Sequence, residues 1–292
     1  MRVSHVITAR APIAHGDFGV NSGNVQRFRR IPILSLEGVP TYIPAISAGA
    51  LRGVVRRLLW REAFDACDLS RGVLPGWDRL YAALANGGTI EAAEKRVVPD
   101  AIRARREALP VLSLLGAALY TSHMAGRARV SNSWLECREL GAEHANDPLM
   151  RDLLADEARV RHVDQEEQDP DVSGVGPMPT TTETVIAGAR FVGHTEIAPA
   201  REASAWAHGL GLVQYLGGKA GAGFGEVVIE HDGDGSAYEA WLATHVEPLR
   251  DALIQLANEL VKGSKKSKKK SKKKAQPKAI EAIADASQGE IF

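Results

Sequence analysis

Five glycines fall within nine residues in Gly217-Gly218-Lys219-Ala220-Gly221-Ala222-Gly223-Phe224-Gly225, a density that lets a backbone approach a ligand closely. The segment fails both common nucleotide fingerprints. A phosphate-binding P-loop needs a glycine five residues before Gly218 and Ser or Thr after Lys219, and this chain has Val213 and Ala220 there. A dinucleotide fingerprint needs a strand before the glycines and a helix after them, and the order here is reversed. What remains is a helix-to-strand loop whose bare amides and single lysine suit a phosphodiester, with a plain flexible connector as the alternative. Gly217, Gly218, Lys219, Gly221, Gly223 and Phe224 are its candidate contacts to such a backbone.

A second group lies near the N-terminus. Ser47 can cap a helix that carries Arg52 and Arg56, placing helix amides and two guanidiniums beside an anion, although arginines on a helix often form only a solvated face. Arg27, Arg29 and Arg30 add a basic run. His15 and Asp17 could ligate a metal or act as acid and base, but one HxD pair more commonly serves loop hydrogen bonding. No GxSxG or HExxH signature appears, and Cys67 and Cys137 fit neither a disulfide framework nor zinc spacing. No catalytic residue, metal or cofactor is assigned.

The chain's 36 basic and 36 acidic residues cancel, but they are segregated. Residues 1–130 hold 18 basic against 10 acidic residues, residues 131–261 hold 8 against 23, and residues 262–292 hold ten lysines against three acids. One half suits a polyanion and the other does not. Of the basic residues in 1–261 only Lys95 and Lys219 are lysines, and arginine is the better fork for phosphate oxygens. At 292 residues and 45% hydrophobic the composition is that of a globular protein. The N-terminus lacks the pattern of a signal peptide, so a cytoplasmic location is expected. Ala108 to Gly126 is uncharged, but Pro110, Ser113, Thr121, Ser122 and His123 favour a buried core segment over a membrane span.

These residues need elements to position them. Val3 to Ala11 reads as a strand, and Pro12 to Pro40 as a long functional loop or β-excursion. Ala50, Leu51, Val54, Val55, Leu58 and Leu59 keep helical spacing after Ser47. Residues 65–126 read as a mostly helical insertion, and Arg127 to Glu136 as a second strand. Residues 141–180 read as a projecting flap with a short helix at Met150–Ala158. Thr181 to Ile197 returns to strand chemistry, Ala203 to Leu216 is a helix, and Glu226 to Glu230 a closing strand. Tyr238 to Val261 is a further helix, 262–278 a solvated Lys/Ser linker and 279–292 a short tail. The body, 1–261, therefore predicts an α+β fold of the split βαβ or ferredoxin-like kind, an antiparallel sheet covered by two helices.

Three segments carry a family resemblance. Tyr42-Ile43-Pro44-Ala45-Ile46-Ser47-Ala48-Gly49-Ala50-Leu51-Arg52-Gly53 resembles the segment that opens the first helix in RAMP-superfamily proteins of CRISPR systems. Gly126-Arg127-Ala128-Arg129-Val130-Ser131-Asn132-Ser133-Trp134-Leu135 is similar to their middle strand, and the glycine loop to their G-rich loop before a final strand. The single G-rich loop and the central flap look like the Cas-seven-type backbone subunit, and His15-Gly16-Asp17 with the Arg27–Arg30 run look most like that of type IV systems.

The resemblance implies a modified RRM-like palm with a thumb-like flap. It further implies a non-catalytic, RNA-binding protomer of an antiviral defence ribonucleoprotein, repeating head to tail along a guide RNA beside other CRISPR effector subunits and a target nucleic acid. In branches whose backbone subunits cut RNA, the resemblance places an aspartate about thirteen residues before the Tyr-Ile-Pro segment. Arg29 stands there instead, and a guanidinium cannot hold a divalent metal. The alternative is a metal-dependent RAMP endoribonuclease using His15 and Asp17.

Overall fold

The computed structural model describes residues 1–16, 25–34, 38–89, 99–119, 122–161 and 178–274. Strand β1 (Arg2–Ala9) alternates as its sequence predicts, burying Val3, His5, Ile7 and Ala9 on one face. The Pro12–Pro40 excursion contains the two-residue β2 (Val25–Gln26) and β3 (Arg30–Leu34), and β3 pairs antiparallel with β4 (Pro40–Ile46). Helix α1 (Ala48–Ala66) starts where its cap predicts, with Ser47 Oγ accepting from the Ala50 amide at 3.2 Å. It buries Leu51, Val55, Leu59 and Trp60.

The insertion is less helical than its composition suggests. Helices α2 (Trp77–Leu84), α3 (Pro99–Ala108) and α4 (Pro110–Leu115) are followed by a hairpin, β5 (Gly116–Leu119) and β6 (Ser122–Ala125). The uncharged stretch thus splits at Gly116, whose φ of 66° breaks the helix, and every side chain from Pro110 to Leu115 is buried. No described helix is long and apolar enough to cross a membrane.

The expected second strand divides into β7 (Arg129–Val130) and β8 (Ser133–Leu135). The helix expected at Met150–Ala158 is not formed. Met150–Leu153 makes one 3-10 turn and the chain then extends as β9 (Leu154–Arg161). An antiparallel ladder with β10 (Met178–Val185), from Met178↔Arg161 to Val185↔Leu154, outweighs the weak helix preference of Ala155, Glu157 and Ala158. The expected flap therefore leaves and rejoins the body through a hairpin. Its residues 162–177 lie outside the described residues.

A turn with Gly188 at φ 88° separates β10 from β11 (Arg190–Glu196), where the sequence reads as one strand. Helix α5 (Ala200–Gly211) and β12 (Val227–His231) follow, on either side of the glycine loop. The main sheet runs β12-β1-β11-β8-β4-β3, with α1 and α5 as the connections that return the chain to it. The fold is α+β with antiparallel strand pairs in this sheet.

Two helices stand where the sequence suggests one, α6 (Ser236–Thr244) and α7 (Val246–Lys274). Pro248 disfavours a continuous helix across His245, and it is tolerated in the first turn of α7. Leu249, Leu253, Leu256, Ala257 and Leu260 bury the inner stripe of α7 in the core. The helix continues through the lysine run to Lys274, which corrects the linker expected from residue 262. Residues 275–292, with the tail, lie outside the described residues.

Candidate nucleic-acid interface

The glycine loop is a closed structure with a defined neck. The Leu216 amide donates to the Gly225 carbonyl at 2.8 Å and the Val227 amide to that of Gln214 at 2.9 Å. Gly217, Gly223 and Gly225 sit at φ 87°, 84° and 82°, and Lys219 at 63°, so the bends use the left-handed region. At Gly217 a Cβ would lie 2.4 Å from the Ala14 carbonyl oxygen. That approach lets the Gly218 amide donate to the same oxygen at 2.7 Å.

Two contacts tie the loop to the flap hairpin. Lys219 Nζ donates to Thr182 Oγ1 on β10, and from β9 the Arg159 guanidinium lies 4.5 Å from the Phe224 ring centre and donates to the Ala222 carbonyl at 3.1 Å. Phe224 is buried, so its ring anchors the loop and does not face a ligand, a correction to its place among the candidate contacts. Gly221 and Gly223 remain exposed, and a Cβ at either would meet nothing within 4 Å.

The basic run reaches the same hairpin from the other side. On β10, the buried Glu183 accepts from Arg30 at 2.6 Å, Arg27 at 3.4 Å and the Phe28 amide at 2.9 Å. Two of the three arginines are thus committed to a carboxylate. Arg29 is partly exposed, and its amide and carbonyl are held by His15 and Ala45. Its guanidinium makes no described contact.

His15 links this strip to α1, because the Ser47 amide donates to His15 Nε2 at 3.3 Å. The next amide, Ala48, donates to Asn132 Oδ1 at 3.0 Å. With Ser47 Oγ capping Ala50, the helix start is largely satisfied by the protein itself and is a weaker anion site than the sequence suggests. Asp17 lies outside the described residues.

Arg52 and Arg56 turn away from this strip. Both donate to one acceptor, the Leu115 carbonyl, at 2.5 and 2.6 Å, and the Nε of each is buried without a partner. They line a cavity of about 580 Å³ together with Gly87, His123 and Gly126. Burial lowers the pKa of Arg52, and burial followed by repulsion from Arg52 lowers that of Arg56 to about 10. Both remain cationic at neutral pH, two charges that share one neutral oxygen among the described residues.

The structure therefore joins Gly217, Gly218, Lys219, Arg27, Arg29, Arg30 and Ser47 into one strip around β10 and sets Arg52 and Arg56 apart. Thr182, Glu183 and Arg159 carry no local signal that would single them out. Glu183 sits in a Thr-Thr-Thr-Glu-Thr-Val run that reads as an ordinary strand, and only the pairing of β9 with β10 brings Arg159 to Phe224.

No protein-family profile matches the chain, and no curated protein matches it in sequence. Among solved structures, a chain of a "Type IV-B CRISPR Complex" matches at 23% identity with a TM-score of 0.56, over 79% of this chain and 90% of that one. A chain of the "Type III-B Cmr-beta bound to cognate target RNA" matches at 12% identity and a TM-score of 0.43, over 79% and 60%. Thermofilum pendens Csc2 matches at 16% identity and 0.37, over 94% and 90%. This chain is built on the same fold as the chain of the Type IV-B CRISPR complex.

Proposed function

We propose that the protein is a non-catalytic RNA-binding backbone subunit that polymerises along a guide RNA in a CRISPR ribonucleoprotein. The convergence of the glycine loop and the basic run on one hairpin carries this reading. The exposed Gly221 and Gly223 and the partly exposed Arg29 belong to a strip stiffened by Glu183 and Lys219, a surface suited to gripping a sugar-phosphate backbone. The order of β12, β1, β11 and β8, crossed by α1 and α5, supports an RRM-like palm, with the β9–β10 hairpin as the base of a thumb. Large exposed aromatics are few among the described residues, Tyr42 and Tyr215, which favours backbone gripping over base stacking.

Arg52 and Arg56 supply a second cationic point, since a phosphate would satisfy the guanidinium groups that one carbonyl leaves short. The absence of a carboxylate at Arg29 supports binding without cleavage. Electrophoretic titration of labelled RNA against salt tests the reading, using the full chain, Lys219→Glu and Arg52→Glu. Each substitution is expected to weaken binding on every RNA sequence and to lower the salt slope by about one. Unchanged binding in both variants, or magnesium-dependent cleavage of a complementary RNA that disappears in Asp17→Ala, would overturn it.

A further inference from the structure

His208 stands on α5 with both ring nitrogens committed to carboxylates. Its Nδ1 lies 2.9 Å from Glu239 Oε1 on α6, and its Nε2 lies 2.9 and 2.8 Å from the two carboxylate oxygens of Glu62 on α1. Ionised carboxylates only accept, so both nitrogens must donate and the ring carries two protons. The His208 side chain is 9% exposed, whereas those of Glu62 and Glu239 are 32% and 62% exposed. A neutral ring would keep one donor and turn the lone pair of its other nitrogen toward a carboxylate oxygen. One of the two ties between helices would then become repulsive.

The helices on either side of His208 are not equally anchored. Helix α1 buries Leu51, Val55, Leu59, Trp60, Ala63 and Phe64, while the nine-residue α6 buries Tyr238 and Leu242. The Tyr238 hydroxyl is itself buried without a partner, which weakens that anchor. A cavity of about 630 Å³ opens between α1 and α6, with Leu58, Glu62, Leu212, Glu239, Leu242 and Val246 in its walls, so α6 lacks packing on that side. We propose that α6 is a lid over this cavity: the doubly protonated His208 holds it to α1 and α5, and loss of one proton as pH rises releases it. The other charged groups nearby favour the closed form. From α1, Glu62 and Asp65 stand against one Arg61, and α6 adds Glu239. Asp234, in the turn before α6, has both oxygens on Ser236, while His231 faces the Gly233 carbonyl and His245 that of Trp241. The bond to Glu62, opposed by burial and joined by the charge of Glu62 and by Glu239, raises the pKa of His208 above 6.5. The hold on α6 is therefore complete below that value and is lost as pH passes the raised pKa. The lid does not depend on RNA binding.

Hydrogen exchange of the full chain, read by mass spectrometry from pH 6 to 9 and divided at each pH by the intrinsic rate, tests the lid. The amides of Tyr238 to Thr244 are expected to lose protection as pH rises, while those of α1 keep theirs. Burial pushes the Cys67 thiol up to about 11 and raises the Tyr238 hydroxyl as well, so neither titrates in this range. His208→Gln is expected to leave α6 weakly protected at every pH, and Glu239→Gln, at the exposed end of the tie, to make the fall shallower. His245→Gln should keep the fall of the unmodified chain, which separates the two histidines. Should His208→Gln fail to fold, carbon-proton NMR of the unmodified chain still reads the titration of the ring, with a midpoint expected above 6.5. Constant protection of α6 from pH 6 to 9, a fall that survives in His208→Gln, or a His208 midpoint at or below 6.5 would overturn the lid.

Discussion

At the scale of single residues, the arginines of the basic run separate into two tasks. Removing Arg30 leaves the buried Glu183 with Arg27 at 3.4 Å and the Phe28 amide, so Arg30→Met is expected to cost about 1–3 kcal/mol, read as a lowered denaturation midpoint. Arg29→Ala should change stability by less than about 0.5 kcal/mol yet weaken RNA binding, since its guanidinium makes no described contact. Equal effects of the two substitutions on stability would contradict the division. A third residue gives the fold a pH limit. His5 is held buried on β1 with its Nε2 2.8 Å from Ser133 Oγ, and burial first, then repulsion from His194 and His231, lowers its pKa to about 4 despite Asp232. The unfolded chain takes up this proton near pH 6.5, so stability present above that value is lost as pH falls toward 4, by about 3 kcal/mol in all. His5→Gln should flatten that part of a pH series of urea midpoints, and an unchanged slope would contradict the assignment. The candidates Gly217, Gly218 and Lys219 were legible in the sequence because glycine density and a lone lysine are local signals. The commitment of Arg27 and Arg30 was not, because Glu183 lies more than 150 residues away in the chain.

At the scale of elements, the glycine loop is where local chemistry and tertiary contact agree most closely. Gly217→Ala would force a Cβ to within 2.4 Å of the Ala14 carbonyl oxygen at a φ of 87°, and a backbone neighbour cannot yield as a flexible side chain can. We expect it to lower stability by about 2 kcal/mol and to weaken RNA binding. Gly221→Ala should leave stability unchanged, because its Cβ would meet nothing within 4 Å and its backbone is not left-handed. A loop that responds alike to both changes is not stitched to Ala14 as described. The strand-helix order of the main sheet and its helices was legible from period and caps, as Ser47 and the alternation of β1 show. Met150–Ala158 was misread because its alanines and charges suit a helix in isolation, and only the distant β10 offers the pairing that extends it. The hairpin at Gly116–Ala125 was hidden in an uncharged stretch for a related reason, since periodicity alone does not separate a short buried strand from a buried helix.

At the scale of the whole molecule, the segregated charge gains a physical role. On the proposed reading, the basic half, which carries the arginine run and α1, is the half suited to a polyanion, and the acidic half is not. The lysine-rich end of α7 follows Leu260, the last side chain that the helix commits to the core among the described residues. Truncation after Val261 is therefore expected to leave a folded protein whose circular dichroism melt is little changed, with weaker RNA binding at low salt only; loss of cooperative unfolding would make the helix end structural. The central claim, that the chain grips RNA as its normal partner, is most directly tested by purification without nuclease at moderate salt, followed by the ratio of absorbance at 260 and 280 nm and sizing of any retained nucleic acid. The account predicts stoichiometric RNA that resists added nuclease while bound. Protein that emerges free of nucleic acid and fails to protect added RNA would contradict it.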